Sequence, residues 1–89
     1  MKLRGKQVTA ARDLLGITQA ELAEAAGVSR LTVFGFESGQ TEPRRENLQK
    51  IQAELERRGI EFSNSDGMGV RLIFAKAAEA ARGSQDGAP

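Results

Sequence analysis

The side chains that most often carry out chemistry in proteins are largely missing from this 89-residue chain. It contains no cysteine, which excludes a disulfide framework, a cysteine-ligated zinc and a thiol nucleophile. It also contains no histidine, which is the usual general base at neutral pH and the commonest metal ligand. Catalysis would have to rest on carboxylates alone, and the acidic residues mostly stand beside basic ones. We therefore expect no enzymatic activity, no bound metal and no cofactor.

The basic side chains form two groups that could bind phosphate. One group lies at the start of the chain (Lys2, Arg4, Lys6 and Arg12), and the other follows residue 43 (Arg44, Arg45, Lys50, Arg57 and Arg58). The net charge is only +1, whereas strong nucleic-acid binders are usually more basic. From charge alone, two solvated helix faces are an equal alternative. The first group could likewise be a basic arm or a disordered start.

The apolar residues indicate one small soluble domain. No apolar run approaches the roughly 18 residues that a membrane span needs. The basic N-terminus is not followed by the apolar core of a signal peptide. We expect a cytoplasmic protein with a single core.

Helix signals dominate the first half of the chain. The spacing of apolar residues predicts a first helix over residues 6–15. Thr18 and Glu21 form a capping box at the start of a second helix, which Gly27 closes after two turns. Ser29 is a good N-cap for a third helix. Two helices joined by so short a glycine-containing turn are typical of a helix-turn-helix.

The second half combines a helix with a β-hairpin. A fourth helix is predicted over residues 44–58, after Pro43. The apolar period then changes from 3.6 to 2, and residues 60–74 predict a short hairpin. Residues 75–82 are alanine-rich and predict one or two helical turns before a frayed tail at residues 83–89. The residues assigned only to the core are Val8, Leu14, Leu15, Leu22, Val33, Leu48, Ile51 and Leu55.

Residues 18–30 (TQAELAEAAGVSR) resemble the Cro and phage-repressor family of helix-turn-helix proteins, also called XRE-type. The match continues at residues 36–39 (FESG) and 41–43 (TEP), and it covers about residues 6–58. The resemblance implies a mostly α fold, a compact repressor-like bundle of four or five helices, here followed by the C-terminal hairpin. It implies that residues 1–59 form a domain that binds operator DNA as a dimer.

The implied function is sequence-specific binding of double-stranded DNA by a dimeric transcriptional regulator, and we expect a repressor. A recognition helix of about residues 29–38 would enter the major groove. Arg30 matches a position at its tip, where arginine can bond the O6 and N7 atoms of guanine. Gln19 matches a position that hydrogen-bonds a phosphate, the alternative being an exposed side chain that contacts nothing.

The other implied contacts flank this helix. Ser29 and Thr32 suit a phosphate or a thymine methyl group, although capping is the main role that we expect for Ser29. The remaining residues surround the loop before the fourth helix and are expected to hold the sugar–phosphate backbone or to be solvated: Gln40, Thr41, Arg44 and Arg45.

Three residues of the third helix depart from the polar outward face that is usual in the family. Leu31, Phe34 and Gly35 are expected on that face. Leu31 and Phe34 can contact thymine methyl groups, whereas Gly35 offers only a close approach. An exposed apolar pair also fits a protein contact. The alternative function is therefore an interaction module that binds a regulatory protein through Leu31 and Phe34.

Residues 60–74 are the expected dimerisation element. Two strands alone are marginally stable in water, and a small four-helix core can cover only some of their apolar side chains. Hairpins from two chains would pair or pack around a two-fold axis and hold the recognition helices about 34 Å apart. The alternative is a monomer whose hairpin folds back onto its own helices. The side chains expected in the interface are Ile60, Phe62, Val70, Leu72 and Phe74.

Overall fold

The computed structural model describes residues 2–86 of the chain, with the side chains of residues 2–83. In chain order, the elements are α1 (Gly5–Leu15), α2 (Gln19–Ala26), α3 (Arg30–Ser38), α4 (Arg45–Arg57), β1 (Ile60–Ser63), β2 (Gly69–Leu72) and α5 (Phe74–Asp86). The predicted mostly α fold with a hairpin after the fourth helix is confirmed. Within this part of the chain, no helix is both long and apolar enough to cross a membrane.

A single core lies between the first four helices and the hairpin. Five of the predicted core residues are fully buried: Val8, Leu22, Val33, Ile51 and Leu55. Leu15 and Leu48 are partly buried against them. The assignment of Leu14 to the core is wrong, because its side chain is 48% exposed. A helix turns by about 100° per residue, which places Leu14 beside the buried stripe of Val8 and Ala11 and not on it.

The two strands pair antiparallel and place their apolar side chains on one face. Ile60 lies opposite Leu72, and Phe62 lies opposite Val70. Successive strand residues point to opposite faces, so these four side chains share one side of the sheet. That side packs against the helical core, with β1 next to α4 and β2 next to α1. The hairpin therefore folds back onto its own chain.

This packing corrects the reason for expecting a second chain over the hairpin. Ile60 is only 3% exposed, and Phe62, Val70 and Leu72 are partly buried against the same core. Phe74 does not belong to the hairpin, because β2 ends at Leu72 and Phe74 begins α5 with 81% of its surface exposed. The apolar strand face is thus largely covered within one chain.

The C-terminal helix is longer than predicted. It extends from Phe74 to Asp86, so residues 83–86, which were expected in a frayed tail, are helical. Residues 87–89 lie outside the described part of the chain. Gly59 joins α4 to the hairpin with a φ of 105°, which favours glycine. A Cβ atom at Gly59 would also lie 2.8 Å from the Ala77 nitrogen. Gly59 therefore provides both the turn and the space in which α5 lies.

Candidate nucleic-acid interface

The turn between α2 and α3 is held by a cap on each side. Thr18 Oγ1 accepts a hydrogen bond of 3.0 Å from the Glu21 amide, and the Thr18 amide donates one of 3.0 Å to the Glu21 carboxylate. Gly27 ends α2 in the left-handed region, with φ 75°. Ser29 Oγ then accepts a 3.0 Å hydrogen bond from the Thr32 amide and caps α3. The capping box, the helix-turn-helix geometry and the capping role of Ser29 are confirmed.

The third helix has a buried and an exposed face. Val33 and Phe36 are 0% and 5% exposed and point into the core. Arg30 is exposed, Leu31 is 75% exposed and Phe34 is 45% exposed. The N-terminal half of α3 therefore presents one cationic side chain beside two apolar ones, as the sequence predicted.

Gly35 does not belong to this exposed face, and the expectation that it points outward is wrong. It is buried, and the loop after α3 folds over it. The Gly35 carbonyl accepts hydrogen bonds from the amides of Gln40 and Thr41, at 3.0 and 3.1 Å, and from Ser38 Oγ at 3.2 Å. A Cβ atom at Gly35 would collide with Thr41 Oγ1. The absence of a side chain thus lets the α3–α4 loop dock directly on the recognition helix.

Glu37 connects α3 to the two helices before it. Its carboxylate accepts two hydrogen bonds from the Arg12 guanidinium, at 2.7 Å from Nε and 2.8 Å from Nη2. Glu37 Oε1 also accepts a hydrogen bond of 3.0 Å from Gln19 Nε2 and one of 2.9 Å from Thr9 Oγ1. One buried carboxylate therefore fixes the orientation of Gln19 at the start of α2.

The environment of Glu37 keeps it ionised. Burial alone would raise its pKa, but the hydrogen bonds from Arg12, Gln19 and Thr9 and the charge of Arg12 outweigh burial and lower the pKa. The hydrogen bond to Glu37 in turn raises the pKa of Arg12. Both groups are charged at neutral pH, and the pair is of the strong, bidentate kind.

Reasoning from the sequence missed this network, because Glu37 was considered only as part of the motif of residues 36–39. A usable signal was present. Glu37 follows Phe36 on the side of α3 that also carries Val33, and a carboxylate that becomes buried needs a cationic partner. Arg12, counted among the basic residues of the N-terminus, is that partner and is not a free surface cation.

Gln19 and Arg30 lie on one open depression of about 670 Å³. Thr18 and Ala20, at the start of α2, line it as well. The free amides of a helix N-terminus attract anions, so the depression combines these amides with an exposed arginine. The structure thus brings together two of the residues that the sequence singled out.

The expected backbone contacts lie in and after the loop that docks on Gly35. Gln40, Thr41, Arg44 and Arg45 are all exposed. Arg44 is the N-cap residue of α4, and Arg45 is its first residue. Among the described residues, no group of three or more acidic side chains is placed to hold a metal ion.

The comparison with known families agrees with this geometry. Residues 8–62 match a family model described as helix-turn-helix. The matched segment runs from α1 through α4 and into β1, and it contains more than half of the chain. A search of curated proteins finds none that matches.

Proposed function

The chain belongs to the XRE/Cro-type helix-turn-helix family, a family of DNA-binding regulators, and from this premise we propose that it binds a specific operator as a dimeric transcriptional repressor. The observation that carries the proposal is the exposed N-terminal half of α3. It presents Arg30, Leu31 and Phe34 to solvent while its other face is buried in the core. A helix held in this way can enter the major groove of B-DNA.

Arg30 is the proposed base-reading cation. It is the first residue of α3 and is exposed. A guanidinium at this end can bond the O6 and N7 atoms of guanine together. Replacing Arg30 with alanine should weaken operator binding by about 1–3 kcal/mol, or roughly 5- to 150-fold, and relax the preference for guanine at one position.

Leu31 and Phe34 are proposed to contact thymine methyl groups. Both expose apolar surface next to Arg30, and neither can donate or accept a hydrogen bond through its side chain. Deoxyuridine in place of thymidine removes only the methyl group, which is worth about 0.8 kcal/mol when buried. Replacing each contacted thymidine with deoxyuridine should therefore lower the affinity for the operator about fourfold.

Phosphate contacts would come from both sides of the helix-turn-helix. Gln19, held by Glu37, and the α2 N-terminus form one site, with Ser29 and Thr32 nearby at the α3 cap. The second site is the exposed set Gln40, Thr41, Arg44 and Arg45. Gly35 makes no DNA contact of its own, because it is buried beneath the α3–α4 loop.

Selection of bound duplexes from a random DNA pool tests the proposal. We expect a symmetric enriched site, with binding that weakens steeply as salt increases because phosphate contacts release counterions. The matched control for Arg30→Ala is Arg82→Ala, which removes an exposed arginine from α5. Loss of affinity in both variants to the same extent, or no enrichment, would contradict specific readout by α3.

The exposed Leu31 and Phe34 also favour a second candidate function, the capture of a regulatory protein. An apolar pair on a helix surface can anchor an interface. Replacing both residues with serine separates the candidates. If the DNA affinity survives while binding to a protein partner disappears, the interaction module is the better description.

The proposed dimer would use the parts of the hairpin that its own helices leave free. The outer strand face carries Glu61 and Arg71, whose side chains lie 3.0 Å apart. Within the described residues, each strand of the two-stranded sheet pairs along one edge only. An edge without a partner strand pairs readily with another strand. Phe74, at the end of this sheet, adds exposed apolar surface.

Sedimentation of the full chain tests the dimer. We expect a dimer at micromolar concentration and a smaller dimer fraction for Phe74→Ser, which removes only exposed surface from the monomer. A monomeric wild type would contradict the dimer, and the hairpin would then serve only to close its own core.

A further inference from the structure

The N-terminal segment before α1 is fixed to the rest of the molecule. Leu3 is 1% exposed and belongs to the core. The Lys2 carbonyl accepts a hydrogen bond of 2.6 Å from Asn64 Nδ2 in the hairpin turn. The Arg4 amide donates one of 3.0 Å to Gln7 Oε1. Residues 2–4 are therefore held in place, and the side chains that they carry have defined neighbours.

Lys2 and Arg4 belong to this fixed segment and Lys6 to the first turn of α1, and we call these three cations the N-terminal basic cluster. All three are exposed. The first turn of α1 contains no acidic residue. Because the backbone beneath them is held, these side chains form a surface with a definite position relative to α3.

The N-terminal basic cluster adjoins the loop that is proposed to hold the DNA backbone. Lys2 and Arg4 share a depression of about 280 Å³ with Gln40 and Thr41. Arg4 also lines a second depression, of about 380 Å³, together with Lys6 and with the end of α3 at residues 38 and 39. The cluster and the α3–α4 loop thus make one continuous surface.

The charge of this surface is positive. On the side of the loop, the Glu42 carboxylate lies 3.8 Å from Lys2 Nζ in an exposed pair of little strength. Glu37 lines the second depression, but Arg12 neutralises its charge. Asp66 faces Lys2 and Arg4 from the hairpin turn, on the other side of the cluster. On the side of the loop, three cations therefore stand against one exposed carboxylate.

We propose that the N-terminal basic cluster is a further DNA-contact surface, which binds backbone phosphates beyond those reached by α3 and its loop. The proposal rests on the proposed DNA binding and extends its footprint on the side of the α3–α4 loop. Such contacts carry no sequence information, but they add affinity and salt dependence. The partner is the sugar–phosphate backbone of duplex DNA that flanks the bases read by α3.

The test compares two triple variants on one duplex recovered from the selection. The first variant carries Lys2→Gln, Arg4→Gln and Lys6→Gln. The control carries Arg57→Gln, Lys76→Gln and Arg82→Gln, which removes the same number of charges from the end of α4 and from α5. All six side chains are exposed, and a urea denaturation curve of each variant verifies its fold.

The measurement is the slope of log binding constant against log salt concentration. Removing one phosphate contact lowers the magnitude of this slope by about 0.9, so the slope of the first variant should be smaller by about 2–3 and the control should keep the wild-type slope. Trimming the flanks of the duplex should reduce the wild-type slope and leave that of the first variant unchanged.

An equal reduction of slope in both variants would overturn the proposal, because net charge alone would then account for the effect. An unchanged slope in the first variant would also overturn it while leaving the proposed function intact. Absence of any wild-type binding at low salt would instead contradict the proposed function itself.

Discussion

Gln7 of α1 donates a hydrogen bond of 2.6 Å from Nε2 to Oδ1 of Asn64 in the hairpin turn, 57 residues later in the chain. Gln7 Nε2 also lies 3.1 Å from the Gly69 carbonyl oxygen. Gln7 is 1% exposed, although glutamine is a residue that is mostly found on surfaces. Since Asn64 in turn binds the Lys2 carbonyl, one buried amide joins the hairpin to α1 and to the N-terminal segment.

Replacing Gln7 with alanine should lower the free energy of unfolding by about 2–3 kcal/mol. The substitution leaves partly buried acceptors of Asn64 and Gly69 without a donor and opens a cavity. Urea denaturation measures the change, with Gln49→Ala as the control because Gln49 is exposed on α4. The control should change stability by no more than about 0.5 kcal/mol. Equal effects of the two substitutions would show that the Gln7 amide does not hold the hairpin.

The Glu37 carboxylate should make the stability of the fold decrease at acidic pH. Its pKa is lower in the folded chain than its ordinary value of 4.5. Its contribution to the free energy of unfolding is therefore fully present above pH 4.5 and is lost as the pH falls through the folded pKa. Glu37→Gln should lower the free energy of unfolding by about 2–3 kcal/mol at pH 7. This loss is somewhat smaller than that expected on breaking a fully buried ion pair, because Arg12 keeps some contact with solvent. The difference between wild type and variant should shrink between pH 4.5 and pH 3.

Urea denaturation at pH 7, 4.5 and 3 measures this effect. Glu24→Gln is the matched control, since Glu24 is exposed on α2. A constant difference between wild type and Glu37→Gln over this range would contradict a lowered pKa for Glu37.

Gly35 and Thr41 should show coupled effects on stability. Gly35→Ala gains about 1 kcal/mol of helix propensity, but the new Cβ collides with Thr41 Oγ1, and overpacking of this kind costs roughly 1–3 kcal/mol. We expect a net loss of about 1 kcal/mol. In a Thr41→Ala background the oxygen is absent, so the same Gly35→Ala change should become stabilising. A double-mutant cycle by thermal denaturation measures this reversal of sign, and additive effects would contradict it.

Substitutions of Ile60 and Phe74 should differ sharply in their effect on stability, although both residues were expected in one dimer interface. Ile60→Ala should cost about 2–5 kcal/mol because the side chain is 3% exposed in the single chain. Phe74→Ala should cost no more than about 0.5 kcal/mol at a protein concentration where the chain is monomeric, because Phe74 is 81% exposed. Denaturation at several protein concentrations measures both. A large loss for Phe74→Ala at the lowest concentration would mean that α5 packs differently.

Much of the fold and part of the candidate site follow from local sequence signals. The apolar period locates the first four helices and the hairpin, and the caps at Thr18 and Ser29 predict the turn between α2 and α3. The exposure of Arg30, Leu31 and Phe34 also follows from their position on α3. These properties depend on residues within about four positions of one another, which is the range over which capping and helix periodicity act.

Other properties depend on which element packs against a given face. Gly35 is buried because a loop folds over it, and Leu14 is exposed because nothing of the described chain covers its side of α1. Leu3 was not assigned to the core, yet it is almost fully buried there.

The sequence by itself determined the helix-turn-helix, its boundaries and the exposure of Arg30, Leu31 and Phe34, because caps, glycines and apolar spacing act locally. Only the tertiary structure decided that Glu37 meets Arg12, that Gln7 meets Asn64 and that Ile60 is covered by its own chain. The two hydrogen-bonded pairs join residues 25 and 57 positions apart. Such contacts form only when whole elements pack together, and the residues close by in the sequence do not specify which distant element will pack against them.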